Sequence, residues 1–169
     1  MATRARIGGG LVAGSMLSVA LMLNACATQP VTGPVEVLHA APHCPGDPQR
    51  QVRLIEDQSA LDALWRRGLG GLAASAPTPD FSRKLVIYLA DSEKPTAGYG
   101  LRLSSPDMTV SWGVATVQVE TSAPVGYAAQ MISRPCLLLA LPDGNYQRLD
   151  VLDREGLVWA TLQLKRWGE

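Results

Sequence analysis

The amino-acid sequence predicts an α+β fold: a mostly antiparallel β-sheet domain with one short N-terminal amphipathic helix. Eight short segments of strand character follow residue 50, and turn-forming residues separate them. One early stretch in this region has helical periodicity instead. We therefore divide the 169 residues into a signal peptide at 1–25, a tether and loop at 26–49, and a single domain at 50–169.

A hydrophobic leader occupies the first 25 residues. Arg4 and Arg6 precede residues 7–23, an uncharged apolar run that glycines interrupt and that is shorter than a typical transmembrane helix. The run ends in Leu23-Asn24-Ala25-Cys26, which resembles the lipobox of bacterial lipoproteins. The resemblance implies diacylglyceryl transfer to the Cys26 sulfur, cleavage after Ala25, and acylation of the new amine by a fatty acid such as palmitate.

Lipidation of Cys26 would tie the mature chain to a membrane, since two or more acyl chains give stable attachment. Ala27 and Thr28 follow the cysteine, and the lack of aspartate there favours the bacterial outer membrane, facing the periplasm. An ordinary secretory signal with an incidental cysteine, or an uncleaved anchor, are the alternatives for this region.

The segment after the lipobox carries few apolar residues. Residues 27–34 contain two prolines and are predicted to form a flexible tether, and a loop-like stretch covers residues 41–48. Cys44 and Cys136 remain as the two cysteines of an oxidising compartment, which predicts a disulfide. Two buried free thiols are one alternative, and a metal site formed by His39, His43 and Cys44 is another. No fourth ligand has convincing spacing, so the sequence predicts neither a metal nor another cofactor.

A short amphipathic helix is predicted over residues 60–67, directly after the strand Gln51–Glu56. Ser59 can cap it, with Asp62 three residues later. Its apolar stripe consists of Leu61, Leu64 and Trp65. Its last turn contains the basic residues Arg66 and Arg67, and Gly68 can end the helix.

Strand patterns fill the rest of the domain. The continuous apolar run Lys84–Ala90 predicts a central strand that is buried on both faces. Residues 153–156, Asp-Arg-Glu-Gly, predict a hairpin between the last two strands. The other strand candidates are Tyr99–Leu103, Thr109–Trp112, Ala115–Thr121, Cys136–Leu141, Tyr146–Leu152 and Leu157–Leu164.

Three pieces of the chain together resemble the PrcB-like family, whose domain is named after the C-terminal part of a protease-complex component. They are the helix ending in Leu64-Trp65, the segment Pro79-Asp80-Phe81-Ser82 before the buried strand, and Glu93-Lys94-Pro95-Thr96-Ala97-Gly98-Tyr99. The last resembles the family motif Gly-x-Lys-Pro-Thr-Gly-Gly-Tyr, from which this chain departs at Ser92 and Ala97. Pro135, before an apolar strand, also fits the family pattern, and the resemblance covers about residues 50–141.

The resemblance implies a small exported or lipidated protein, of a family most of whose members have no known activity. The namesake is an accessory protein that helps to form or stabilise a surface protease complex. In this chain the motif supplies a candidate binding loop that consists of Lys94, Pro95, Thr96, Gly98 and Tyr99. The same residues are compatible with a tight structural turn, because Pro95 restricts φ and Gly98 permits a positive φ.

Charge and motif composition argue against several classes of protein. The leader contains two arginines and no acidic residue, so 13 basic and 15 acidic residues remain, a net charge of −2. No basic patch suited to nucleic acid is present, and three lysines are too few for a polybasic lipid-binding segment. The sequence has no Gly-x-Ser-x-Gly or phosphate-binding glycine-rich motif. It therefore predicts a protein that is not an enzyme.

The leading hypothesis is a non-catalytic envelope lipoprotein that acts as an accessory or binding component and stabilises or regulates a protease complex. Its predicted partners are the membrane, through Cys26, and an envelope protein. A small-ligand or glycan-binding module is the first alternative. Trp112 and Trp167 would be exposed in such a module, while Trp65 and Trp159 fill the core. A hydrolase with an unrecognised site is the second.

Overall fold

The computed structural model describes residues 31–70 and 75–164, where two β-sheets stack face to face. A helical segment covers the outer face of one sheet. The leader, Cys26 and Trp167 lie outside the described residues. The strands are β1 (Val31–Pro34), β2 (Glu36–Ala41), β3 (Gln51–Ile55), β4 (Lys84–Ala90), β5 (Gly100–Leu103), β6 (Asp107–Ser111), β7 (Val114–Ser122), β8 (Cys136–Pro142), β9 (Arg148–Leu152) and β10 (Val158–Gln163).

The two sheets differ in size and in strand direction. The six-stranded sheet has the order β1-β6-β7-β9-β10, with β5 paired to the second half of β7. The four-stranded sheet has the order β2-β8-β4-β3, and all its pairs are antiparallel. In the larger sheet β7 and β9 pair in parallel, a long-range arrangement that the local sequence pattern does not indicate.

Strands β4 and β8 are apolar on both faces because both faces are covered. One set of their side chains packs against the six-stranded sheet: Ile87, Leu89, Leu137, Leu139 and Leu141. The other set packs beneath the helical segment: Val86, Tyr88, Ala90, Cys136 and Leu138. The prediction that Lys84–Ala90 is a central strand is confirmed. Burying each of these leucines stabilises the fold by about 1.5–3 kcal/mol.

The helical segment consists of α1 (Gln58–Leu64) and a π-helical turn at Trp65–Leu69. Its N-cap is Asp57 and not the predicted Ser59: the Asp57 carboxylate accepts hydrogen bonds from the Ala60 N–H and from the Ser59 hydroxyl, both at 2.8 Å. Gly68, the predicted end of the helix, lies inside the π-helical turn with a φ of 119°.

The predicted fold class is wrong. Within residues 31–70 and 75–164 the protein is mostly β, with 47% of these residues in strands of two sheets, and the single helical segment there has 12 residues. That segment follows three strands and lies at residues 58–69, so it is not N-terminal. The error arose because strand patterns do not specify which strands share a sheet, and because β1 and β2 were not recognised.

Strands β1 and β2 occupy part of the region that the sequence predicted as tether and loop. Two prolines and a glycine lie in or beside β1 and obscure its strand character. β1 pairs with β6 and β2 pairs with β8, so the chain crosses between the two sheets at Val35. The eight strands that were predicted after residue 50 are all present, with ends that differ by at most two residues.

The strands define two ends of the sandwich. At the first, the loop end, β2, β4 and β7 finish, and the loops 42–50, 91–99 and 123–135 follow them. At the second, the Trp112 end, a two-residue turn joins β6 to β7. This turn lies beside the first described residue, because Val31 pairs with Val110.

Candidate functional site

A disulfide between Cys44 and Cys136 fastens the loop end. The two Cα atoms are 6.1 Å apart and 92 residues separate the cysteines in sequence. The predicted pairing is confirmed, and Cys44 is therefore not a thiolate ligand. His39 Nε2 lies 2.9 Å from the Leu69 carbonyl oxygen, and its ring packs against Trp65. Within residues 31–70 and 75–164 no group of three potential ligands is arranged to hold a metal ion.

Asp91, directly after β4, is the centre of a polar cluster at the loop end. It is fully buried. Its Oδ2 accepts a hydrogen bond from the Thr121 hydroxyl at 2.7 Å and lies 3.0 Å from Lys94 Nζ. Its Oδ1 accepts from the Ser92 N–H at 2.8 Å and lies 3.5 Å from Arg50 Nε. Asp91 thus joins β4, β7 and two loops.

The environment of Asp91 favours its charged form. Burial alone would raise the pKa of the carboxyl. Hydrogen bonds from Thr121, Lys94 and the Ser92 N–H, together with the charge of Lys94, outweigh burial and lower the pKa below its usual value. Asp91 is therefore an anion at neutral pH whose acceptor atoms are occupied by protein groups.

Arg134 is the second charged residue buried at the loop end. Its guanidinium donates to four main-chain carbonyl groups, those of Cys44, Pro45, Gln49 and Asp91, at 2.8–3.4 Å. Arg134 therefore ties the loop 42–50 to the end of β4. The Tyr88 hydroxyl supports the same loop by donating to the Pro45 carbonyl at 2.8 Å.

The predicted binding loop is firmly attached to its neighbour, the loop 123–135. Lys94 and Ser133 exchange backbone hydrogen bonds at 2.8 and 3.0 Å, and the Ser133 hydroxyl donates to the Thr96 carbonyl at 2.7 Å. Pro95 and Gly98 are exposed, whereas Thr96 and Tyr99 are half-buried. Because Lys94 is paired with Asp91, the structure supports the turn interpretation for this residue.

Gly98 has a φ of +88°, and a Cβ at this position would lie 2.8 Å from Pro124 Cβ. We expect Gly98→Val to lower the free energy of unfolding by about 1–3 kcal/mol, because it combines a disfavoured backbone conformation with a clash. Denaturant unfolding measures this loss. Gly156→Val is the matched control, since Gly156 has a φ of +82° but open space around it. Equal losses in the two variants would contradict a role for the Pro124 contact.

The sequence did not predict the most exposed apolar surface at the loop end. Between β7 and β8, four large apolar side chains each expose at least 51% of their surface: Val125, Tyr127, Met131 and Ile132. We call residues 125–132 the apolar loop. The Ala97 N–H donates to the Ala129 carbonyl at 2.9 Å, so the apolar loop rests on the predicted binding loop. Large apolar residues between two strand patterns were the signal that could have revealed it.

A charged cavity of about 450 Å³ lies beside Asp91. Arg50 lines it, packs on the Trp159 ring at 4.6 Å and donates to the Trp159 carbonyl. Arg154 approaches Glu120, and Lys94 pairs with Asp91. The cations of the cavity thus have carboxylate partners within the protein, so the cavity offers less to a charged ligand than its composition suggests.

Trp112 is the most unusual residue at the opposite end. Both residues of the β6–β7 turn have positive φ, 53° at Trp112 and 75° at Gly113. Two-residue hairpin turns of this kind favour asparagine, aspartate and glycine. Tryptophan there costs roughly 1–2 kcal/mol relative to a right-handed conformation. The indole is 85% exposed, so burial does not offset this cost.

No protein-family model, curated protein or solved structure matches this chain. The resemblance to the PrcB-like family therefore stays a prediction based on its short motifs within residues 50–141. In the described ranges, no helix is both long enough and apolar enough to cross a bilayer. Cys26, the predicted lipidation site, precedes the first described residue by five positions.

Proposed function

We propose that this protein is a non-catalytic lipoprotein of the bacterial envelope that binds another envelope protein through its apolar loop. Lipid on Cys26 attaches it to the outer membrane, on the periplasmic side. It acts as an accessory component that stabilises or regulates its partner. Among envelope proteins, a protease complex is the partner that the resemblance to the PrcB-like family favours.

The exposed apolar loop is the observation that carries this proposal. Val125 and Tyr127 are completely exposed, and Met131 and Ile132 are more than half exposed. Large apolar side chains exposed along one short loop are a feature of protein–protein interaction sites, and such interfaces are enriched in aromatic residues and methionine. Tyr127 suits the role of an anchor, because it has a large apolar ring and few rotatable bonds.

The attachment of the loop supports the same proposal. The apolar loop is anchored at Ala129 by the bond from Ala97, the following residue Ser133 bonds to Lys94, and β8 begins with the disulfide-bonded Cys136. A loop that is already ordered loses little conformational entropy on binding, which increases affinity. The loop end therefore combines an apolar contact surface with a rigid base.

The non-catalytic part of the proposal is supported by the polar groups in the core. Three buried polar or charged residues occur in the described ranges, Asp91, Ser133 and Arg134. Each is hydrogen-bonded to other protein groups, and no buried side-chain nitrogen or oxygen in those ranges lacks a partner. Groups satisfied in this way contribute to the structure of the loop end and leave no free nucleophile or base among them.

Site-specific photo-crosslinking in native membranes tests the proposal. A benzophenone amino acid replaces Tyr127 in the apolar loop or Val37 on β2, which is exposed but lies outside the loop. We expect irradiation of the Tyr127 variant to give one adduct of defined mass, which mass spectrometry identifies as an envelope protein. The Val37 variant should give little of this adduct. The same background pattern from both positions would reject the apolar loop as a binding surface.

A further inference from the structure

We propose that the Trp112 turn inserts into the headgroup region of a phospholipid bilayer and forms a second membrane contact beside the lipid anchor. This inference rests on the proposed lipidation of Cys26. The indole of Trp112 is 85% exposed on a turn that favours other residue types. The membrane-water interface is the environment where tryptophan is enriched, because its ring is apolar and its N–H is polar.

The position of the N-terminus supplies the main argument. β1 starts at Val31, which pairs with Val110, two residues before Trp112. Cys26 precedes Val31 by five residues. Five residues of fully extended chain span at most about 18 Å. A lipidated Cys26 therefore keeps the Trp112 end, and not the loop end, next to the bilayer.

The surroundings of Trp112 suit a lipid surface. A groove of about 480 Å³ lies beside the turn, with Met108 and Val110 among its apolar lining residues. Asp143 is the one charged residue of that lining. Placing this groove against the headgroup region would therefore remove one carboxylate of its lining, that of Asp143, from water.

The C-terminal part of the domain leads to the same end. The Leu164 N–H donates to the Gln147 carbonyl, and the Gln147 N–H donates to the Gly113 carbonyl, both at 2.8 Å. Both ends of the described domain, Val31 and Leu164, therefore lie at the Trp112 end.

This contact would orient the domain. β7 runs from the Trp112 turn to Ser122, directly before the loop 123–135, and its nine residues span about 30 Å. With Trp112 in the interface, the apolar loop points away from the bilayer toward the periplasm. A lipid anchor alone allows the domain to rotate, whereas a second contact restricts it.

Depth-dependent fluorescence quenching tests the inference. Full-length lipidated protein, purified from native membranes, is reconstituted into phosphatidylethanolamine–phosphatidylglycerol vesicles that contain lipids brominated near the headgroup. Wild type is compared with Trp112→Asn, because asparagine tolerates a positive φ and retains the turn. We expect the brominated lipid to quench part of the wild-type tryptophan emission, and we expect this quenching to be lost in Trp112→Asn. Tyr127→Asn, at the loop end, should retain it.

Flotation of the same vesicles and mass analysis of the N-terminus separate two kinds of failure. If all variants float with lipidated Cys26 but show equal quenching, the Trp112 contact is wrong and the lipid anchor stands. If wild type stays in the soluble fraction with an unmodified Cys26, the lipid anchor and this inference both fail.

Circular dichroism checks that Trp112→Asn is folded. If Trp112 instead occupies an interface with a second protein, its emission is insensitive to brominated lipid, which also overturns the inference.

Discussion

Replacing Cys44 and Cys136 together with alanine is expected to lower the free energy of unfolding by about 2–5 kcal/mol. The bond closes a long stretch of chain, since 92 positions separate the two residues. In the chain-entropy account, a longer closed loop removes more freedom from the unfolded chain. Cys136 is also fully buried beneath the helical segment, so its replacement loses packing as well. Urea unfolding of the oxidised protein and of the double variant measures the change.

Reduction of the wild-type protein serves as the control for this prediction. Reduction breaks the bond but leaves both sulfur atoms in place, so it isolates the covalent contribution from the lost packing. We expect the unfolding midpoint of the reduced wild type to lie below that of the oxidised protein and above that of the double variant, because only the variant also loses the packing of the sulfur atoms. Identical unfolding midpoints for oxidised and reduced wild type would show that the bond adds nothing to stability.

Arg134→Met is expected to lower the free energy of unfolding by about 3–5 kcal/mol, since four charge-assisted hydrogen bonds each contribute on the order of 1 kcal/mol net. The arginine is buried, and methionine fills a similar volume without a donor. The carbonyl groups of Cys44, Pro45, Gln49 and Asp91 would lose their shared partner. Denaturant unfolding measures the loss, and hydrogen exchange should show increased opening of residues 42–50.

Arg154→Met is the matched control for this substitution. Arg154 is largely exposed and lies 3.8 Å from Glu120, so its ion pair is screened by water. We expect its stability to lie within about 0.5 kcal/mol of wild type. If Arg134→Met lowered the free energy of unfolding no more than Arg154→Met does, the stability of the loop end would not depend on Arg134. Arg134→Lys retains the charge but not the planar fork of donors, and we expect an intermediate loss.

Several features of this protein were determined by local sequence. The alternating and continuous apolar runs predicted eight strands, among them the central strand Lys84–Ala90, because side-chain period and burial are linked. The stripe of Leu61 and Leu64 predicted the helix that covers the four-stranded sheet. The count of cysteines after Cys26 predicted the disulfide.

The candidate binding surface was only half predictable. The Lys-Pro-Thr motif indicated the loop that contains Lys94, but the partner of that lysine, Asp91, is recognisable only when β4 and β7 are placed side by side. The neighbouring apolar loop was missed because an exposed and a buried apolar residue look alike in a sequence. Tyr127 and Tyr146 illustrate this: the first is fully exposed and the second is 2% exposed.

Local sequence thus determined eight of the ten strands in the described residues, the approximate residues of the helix and which cysteines are joined. Tertiary structure alone decided that the strands form two sheets, that β7 and β9 run in parallel, and that β1 and β2 belong to the domain. It also decided that Asp91 and Arg134 are buried and that Trp112 is exposed beside Val31. The reason is physical: backbone preference and side-chain period act over a few residues, whereas sheet pairing and burial depend on contacts between segments far apart in the chain.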